Sequence, residues 1–345
     1  MKAASGQGQS ATPPMQKIIN DPDRFVDEML EGVLRAYPGQ LRAPGRRVIV
    51  RADAPLTGKV AIVTGGGSGH LPAFMGYVGH GLADGAAVGD VFASPSAEAV
   101  LETMQAVHGG AGILQLYGNY TGDVMNFSLA ADLAADEGIE VASVLAADDV
   151  ASAPHGEESA RRGIAGIFFL YKVAGARAEE GGSLAEVQAV TERAAGRLRS
   201  MGVALAPCIV PAAGRATFEL PTGEMEIGMG IHGEPGVRRA QLESADRIAE
   251  TIVAALLDDL AYAPGEEAAV LVNGLGATPR EELYLLYRRV HSLLDHQGVR
   301  VRCVHVGEYA TSLEMAGASI SLLKLDDELS RLLDAPAESP FLVQR

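Results

Sequence analysis

Along the first half of the chain, short apolar runs alternate with stretches of helical periodicity. Residues 60–63 (Val-Ala-Ile-Val) run into Gly65-Gly66-Gly67, residues 113–117 end at Gly118, and residues 139–145 end at Asp148-Asp149. Between and after these strand-like runs, residues 94–107, 125–137, 163–180 and 184–201 carry helical spacing. Strands alternating with helices predict a parallel sheet wrapped by helices, with ligands gathering beyond the carboxyl ends of the strands. The second half repeats the alternation, with strands over 204–210 and 225–231, a helix over 245–260, a strand over 268–272, a helix over 280–297 and a strand over 299–306. The fold expected is therefore α/β with two lobes, each a mostly parallel or mixed sheet flanked by helices, and an active site in the cleft between them. We place the lobes at 17–201 and 202–345, after a flexible tail at 1–16.

Size agrees with two lobes, because 345 residues exceed what one hydrophobic core usually serves. Charge narrows the partners. With Lys and Arg totalling 28 against 44 Asp and Glu, the formal charge is −16, which repels phosphate backbones and anionic lipid. No nucleic acid and no membrane is expected. The longest apolar stretches, such as 163–171, fall far short of the roughly 20 residues of a membrane span. The first 16 residues lack the apolar core of a signal peptide, so a cytoplasmic protein is expected. Cys208 and Cys303 sit in apolar runs with no CxxC spacing, as reduced thiols would.

Three glycine-rich bends carry the candidate chemistry: Gly65 to His70, Asn119 to Asp123, and Gly228 to Gly236. Glycine lets backbone turn tightly and approach a ligand, so a histidine set among glycines is presented rather than packed. The first bend begins like the nucleotide loop of a short-chain dehydrogenase. His70-Leu71-Pro72 then stand where small residues should let a helix close on the pyrophosphate, and no lysine follows a tyrosine by four residues. No Gly-x-x-x-x-Gly-Lys-Ser/Thr occurs either, so the chain shows no ATP site of its own.

His232, between Gly230 and Gly233, suits a base, a metal ligand, a nucleophile or a ring that merely bonds its own turn. Asp123 suits a helix N-cap, an acid/base group or both. His70 either caps a helix starting near Pro72 or hydrogen-bonds a substrate oxygen. The remaining histidines form no HxxxH pair, and only a weak pairing of His291 and His296 on a helix surface, so no metal site is expected. Asp258-Asp259 and Asp326-Asp327 read as solvated helix faces.

Taken in order, Gly65 to His70, Gly89 to Ser96, Asn119 to Asp123 and Gly228 to Gly236 closely resemble the substrate-binding subunit of dihydroxyacetone kinases, over nearly the whole chain from Lys17 to Leu329. The resemblance implies that His232 attacks the ketone of a short-chain sugar and holds it as a hemiaminal. It implies that Asp123 is the acid/base residue at the hydroxyl to be phosphorylated, that His70 and Gly67 hydrogen-bond the sugar, and that His70 is also catalytic, assisting addition to the carbonyl, with Ser68, Gly69 and Gly118 as further substrate-binding candidates. It implies a homodimer, no cofactor bound by this chain itself, and a phosphoryl donor, Mg-ATP or a phosphotransferase relay, brought by a partner subunit of the nucleotide-binding L type.

Departures accompany the likeness. Gly118 stands where the best-known members carry lysine, Leu71 where they carry glutamate, and Phe74 where a polar residue is expected. A less charged, roomier pocket wall would admit a four-carbon ketose such as erythrulose beside dihydroxyacetone. The rival of another class is a ketose-binding sensor or regulator that transfers no phosphate.

Overall fold

The computed structural model describes residues 16–345, so the expected tail, Gln16 excepted, lies outside the described residues. A first six-stranded sheet is built from β1 (Leu41–Arg42), β2 (Val48–Arg51), β3 (Ala61–Ser68), β4 (Gly85–Val91), β5 (Ile113–Gly118) and β6 (Val141–Ala146), in the order β1-β2-β4-β3-β5-β6. The pairs β4/β3, β3/β5 and β5/β6 are parallel, whereas β1/β2 and β2/β4 are antiparallel. Helices α1 (Phe25–Ala36), α2 (Ala97–Val107), α3 (Thr121–Asp136), α4 (Ile167–Glu179) and α5 (Leu184–Gly196) accompany it.

The second half supplies β7 (Leu198–Ala206), the small pair β8 (Ile209–Val210) and β9 (Arg215–Ala216), then β10 (Glu224–Ile227), β11 (Arg238–Gln241), β12 (Glu267–Gly274), β13 (Arg300–Gly307) and β14 (Ala316–Lys324). Its six-stranded sheet runs β11-β10-β7-β14-β12-β13, with only β12/β13 parallel. Helices α6 (Ala245–Asp259) and α7 (Arg280–His296) cover one face of it through Ile248, Ile252, Leu283, Leu286 and Val290. The chain closes with α8 (Asp327–Asp334) and the hairpin β15 (Ala337–Ser339) and β16 (Leu342–Gln344). Among the described residues no helix is long and apolar enough to cross a membrane.

Helix α4 explains why the two sheets stay together. Its run Ile167-Phe168-Phe169-Leu170-Tyr171 is apolar all round, the pattern of a helix with no solvent face. It packs in one cluster with Ile62, Leu114 and Leu116 of the first sheet, Leu198, Leu271 and Leu323 of the second, and Leu329, Leu332 and Leu333 of α8. Fully burying each such side chain contributes about 1.5–3 kcal/mol. The last twenty residues therefore return to the first sheet's side, where Ser339 Oγ donates to the Gly76 carbonyl at 2.7 Å.

Several sequence expectations shift. The helix expected over 184–201 stops at Gly196, and Leu198 already begins a strand of the second sheet, so the chain changes sheet earlier than residue 202. The strand expected over 225–231 ends at Ile227, because Gly228 takes φ +80° and turns the chain out of the ladder. Asp259 is not a solvated surface group: it accepts from Arg161 Nη1 at 2.8 Å and Nη2 at 2.5 Å, and also from Arg199. Asp326 accepts from the Leu329 amide as the cap of α8 and pairs with Arg197. Cys208 is buried and Cys303 half-buried, both free thiols.

Candidate active site

The parallel order of β3 and β5 brings two of the three glycine-rich bends to the same carboxyl edge of the first sheet. Beyond β3, Gly69 turns the chain and delivers His70; beyond β5, which ends at Gly118, Asn119 and Tyr120 lead into α3, which carries Asp123 in its first turn. The third bend follows β10 in the second sheet and delivers His232. The three meet across the sheets. The His70 and His232 rings lie edge to face with centroids 4.8 Å apart, and Tyr120, the residue capping α3, presents its ring edge-on to His232 at 4.7 Å. Phe92 stacks on His70 at 5.0 Å and meets His232 at 5.4 Å, closing an aromatic box.

His232 is held in one tautomer. Glu234, two residues on in the same turn, accepts from ring Nδ1 at 2.9 Å and from the His232 backbone amide at 2.9 Å. A carboxylate only accepts, so Nδ1 carries the proton and Nε2 keeps its lone pair. The side chain is 22 % exposed, enough for a small molecule to reach it. Burial pushes the Glu234 carboxyl up, but the bond to His232, the attraction of that ring whenever it is protonated, and the neighbouring amides outweigh burial and hold it at about 2. Arg162 stands behind, bonded to Asp149 at 2.7 and 3.0 Å and to the Gly228 carbonyl at 3.2 Å, with Nη1 3.9 Å from Glu234. At Gly230 a Cβ would lie 2.2 Å from the Glu234 carboxylate, so the close approach needs glycine.

His70 is fixed by the opposite lobe. Its Nδ1 donates to the Thr311 carbonyl at 2.7 Å, so the buried Nε2 is an acceptor, and no protein atom bonds it. Burial drives the ring's pKa down to about 3, with the neighbouring His232 adding to the effect, so His70 is neutral at physiological pH. It is therefore a hydrogen-bond acceptor and a poor acid. The segment holding it also returns Leu313 N–H to the Gly69 carbonyl at 2.7 Å, while Ser312 Oγ donates to the Ile231 carbonyl at 2.5 Å. One stretch, residues 311–313, thus fastens both histidine bends.

Asp123 is the third residue of α3, so the N-cap expected there falls to Tyr120, whose side chain makes no capping bond. The carboxyl is 9 % exposed and its Oδ1 is buried without a partner. Burial raises its pKa to about 6, against the Ser94 hydroxyl and, whenever that ring is protonated, His232, which lower it. A carboxylate titrating near 6 at a helix N-terminus suits proton transfer near neutral pH. The helix expected at Pro72 is only a short 3-10 turn, Met75–Tyr77, and His70 caps nothing.

The remaining candidates sit differently. Ser68 Oγ donates to the Gly89 carbonyl at 2.8 Å, so its proton serves the scaffold. Gly67 packs against the backbone of Phe92 and Ala93, and Gly69 against Phe92 and Leu313. Gly118 lies under the Tyr120 ring, 3.1 Å from where a Cβ would stand, so it makes room for that ring. Leu71 packs into the apolar cluster of α1 with Val26 and Leu30, and of the three departures only Gly118 and Phe74 border the site, Phe74 through His70 at 6.1 Å. Sequence reasoning missed Glu234, Tyr120, Phe92, Arg162 and Thr311. Glu234 alone left a signal, an acid two residues from a glycine-flanked histidine. Among the described residues no three His, Cys, Asp or Glu side chains gather as a metal-binding group.

A family model described as the Dak1 domain matches residues 31–341. The chain belongs to the Dak1 family. Among its relatives, the dihydroxyacetone-binding subunit DhaK of PTS-dependent dihydroxyacetone kinase 2 of Listeria innocua is 45 % identical over 329 residues, covering 95 % of this chain and 99 % of that protein. D-erythrulose kinase of Mycolicibacterium smegmatis is 48 % identical over 327 residues, and the Dak1 chain spans 94 % of its own length but only 56 % of that kinase. Of solved structures, the dihydroxyacetone kinase operon co-activator Dha-DhaQ superposes with TM-score 0.86 at 33 % identity, over 92 % of this chain and 98 % of that one. The expected dihydroxyacetone kinase likeness and the erythrulose variant of it are thus both found among Dak1 relatives.

Proposed function

We propose that this Dak1 chain is the substrate-binding subunit of a short-chain ketose kinase. It holds dihydroxyacetone, or a four-carbon ketose such as erythrulose, as a hemiaminal on His232 and presents the terminal hydroxyl for phosphorylation. The observation that carries the reading is the pair of imidazoles 4.8 Å apart, each with its Nδ1 proton committed and its Nε2 lone pair free.

In the addition step the Nε2 lone pair of His232 bonds the carbonyl carbon and the C=O π pair moves to oxygen, leaving an alkoxide and a positively charged ring. The ring's Nδ1 proton passes to Glu234 and from there, relayed by water, to the alkoxide, so that a neutral imidazole, the hemiaminal hydroxyl and the Glu234 carboxylate remain. Glycerol has no carbonyl to attack, so the covalent bond selects ketoses and adds affinity that so few atoms would not otherwise supply. It also fixes the far hydroxyl, and phosphoryl transfer depends mainly on such alignment. Asp123 in its ionised form takes that hydroxyl's proton as the phosphoryl group arrives. The donor, Mg-ATP on an L-type nucleotide-binding subunit or a phosphotransferase relay, comes from a partner.

The test is intact-protein mass spectrometry and carbon-13 NMR with carbonyl-labelled dihydroxyacetone and erythrulose. The labelled carbon should move from the ketone to the saturated region, with a matching mass gain, and both should vanish in His232→Ala. A labelled carbonyl that stays a ketone while sugar binds would overturn the covalent reading. A second reading, a ketose-binding regulator, is favoured by the likeness to the operon co-activator. Sugar phosphate formed with an added partner and lost in Asp123→Asn supports the kinase; adduct without turnover under every donor supports the regulator.

A further inference from the structure

Adduct formation leaves a proton to be carried. When His232 Nε2 bonds the ketone carbon, the Nδ1 proton passes to Glu234 on one side of the ring, while the alkoxide that needs it stands on the other. Among the described residues seven buried side-chain polar atoms lack a partner, and three of them are His70 Nε2, Asp123 Oδ1 and the Tyr120 hydroxyl. Buried polar atoms are nearly always paired, so three orphans on two neighbouring bends mark where the polar atoms of a guest belong. His70 and an ionised Asp123 only accept there, whereas a phenol both accepts and donates. The hydroxyls of Ser68, Thr311 and Ser312, beside the histidine bends, are already committed to the carbonyls of Gly89, of Gly69 and Leu71, and of Ile231.

Tyr120 is held still. Its N–H donates to the Gly118 carbonyl at 2.8 Å, its carbonyl accepts from Val124 N–H at 2.9 Å, and its ring lies over Gly118 and packs with Ile164, Met229 and Ile231. The ring stands edge-on to His232 at 4.7 Å. Burial pushes the phenol's pKa well above its ordinary value, and of the nearby charges Glu234 acts on it most, raising it further, with Arg162 opposing. Tyr120 therefore keeps its proton, within the field of the Glu234 carboxylate.

We propose that the Tyr120 hydroxyl is the fixed member of the proton relay between Glu234 and the alkoxide, and so a catalytic residue of adduct formation. This rests on the hemiaminal reading above. The transfer is concerted: the protonated Glu234 carboxyl gives its proton to the phenol oxygen, directly or through one water, as the phenol O–H proton goes to the alkoxide. Glu234 ends as a carboxylate, the ketone oxygen as a hydroxyl and Tyr120 as the neutral phenol it was. Release of the sugar runs the same steps backward, so the relay speeds capture and release alike and leaves their ratio unchanged.

The experiment is carbon-13 exchange NMR on the full chain with carbonyl-labelled dihydroxyacetone, which reads the forward and reverse rates between ketone and hemiaminal and hence their ratio. General acid–base catalysis contributes about 10²–10⁴-fold, so Tyr120→Phe should slow both rates about a hundredfold or more. The hemiaminal constant should stay within about tenfold of wild type, the range of one neutral hydrogen bond. Exchange in the wild-type chain should also slow in deuterated water. Unchanged rates in Tyr120→Phe overturn the proposal. So does a hemiaminal constant that falls a hundredfold with release unchanged, which would make Tyr120 a binding contact only. Wild-type exchange equally fast in ordinary and deuterated water overturns it without recourse to any variant. Absence of a hemiaminal signal in the wild-type chain would instead sink the reading on which it rests.

Discussion

Replacing Glu234 by glutamine tests whether the tautomer of His232 is what makes it reactive. The carboxylate now accepts two N–H donors, the ring Nδ1–H and the His232 amide, each at 2.9 Å. Glutamine keeps the shape but has one acceptor oxygen and an NH2 group. If that oxygen stays on the backbone amide, the NH2 faces the ring, and the imidazole satisfies it by moving its proton to Nε2, which removes the nucleophilic lone pair. A hydrogen bond to a charged group contributes about 1.5–3 kcal/mol, so the hemiaminal constant should fall about 10- to 150-fold. Gly230→Ala should produce a similar loss, because its Cβ would press on the same carboxylate. The assay is titration of carbonyl-labelled ketose by carbon-13 NMR, with thermal melts confirming that both variants stay folded. A hemiaminal constant within twofold of wild type in Glu234→Gln would refute the reasoning.

Three further outcomes are expected. Because burial raises Asp123 to about 6, kcat/KM should climb with a slope near one from pH 5 to 6 and level off above, and Asp123→Asn should lose about 10²–10⁴-fold in turnover while keeping the adduct; a flat profile across pH 5–7 would count against it. His70 is lowered to about 3 in the fold, so the unfolded chain takes the proton first; its contribution is intact above about pH 6.5 and is lost as pH falls, reaching about 2.7 kcal/mol at pH 4.5. Asp123, shifted the other way, opposes this in wild type, so the comparison is with His70→Asn, whose urea midpoint should change less between pH 8 and 4.5. Asp259→Ala leaves the fully buried Arg161 guanidinium without its carboxylate and should cost about 3–5 kcal/mol in denaturant unfolding; a loss below 1 kcal/mol would show that the pair is dispensable.

How much the sequence disclosed differs between fold and site. Strands made of large apolar runs, such as β5 and β12, announce themselves, and so do helices with clear caps, such as α6 behind Ser244. Strands β4 and β14 do not: Gly85-Ala86-Ala87-Val88-Gly89 and Ala316-Gly317-Ala318-Ser319 are small-residue stretches with little strand propensity, made strands by neighbours on both sides. The overrun from α5 into β7 has a local cause, since Gly196 was the stop signal and the apolar spacing carries on past it. In the site, three reactive residues stood out because glycine frames them. Their supports did not. Glu234 needs the fold of its turn to be seen, and Thr311, distant in sequence, reaches the His70 bend through its carbonyl and through a hydroxyl that donates to the Gly69 and Leu71 carbonyls.

The stretch at residues 311–313 gives this architecture a spacer that is separate from its chemistry. It grips the His70 bend through backbone groups and the Thr311 hydroxyl and the His232 bend through the Ser312 hydroxyl, so the gap between nucleophile and acceptor is gauged by a segment that contributes no reactive atom. Lengthening or shortening that spacer would retune which sugars fit between the imidazoles while both imidazoles stay as they are, leaving a lineage free to change its carbon count without rebuilding its catalytic machinery.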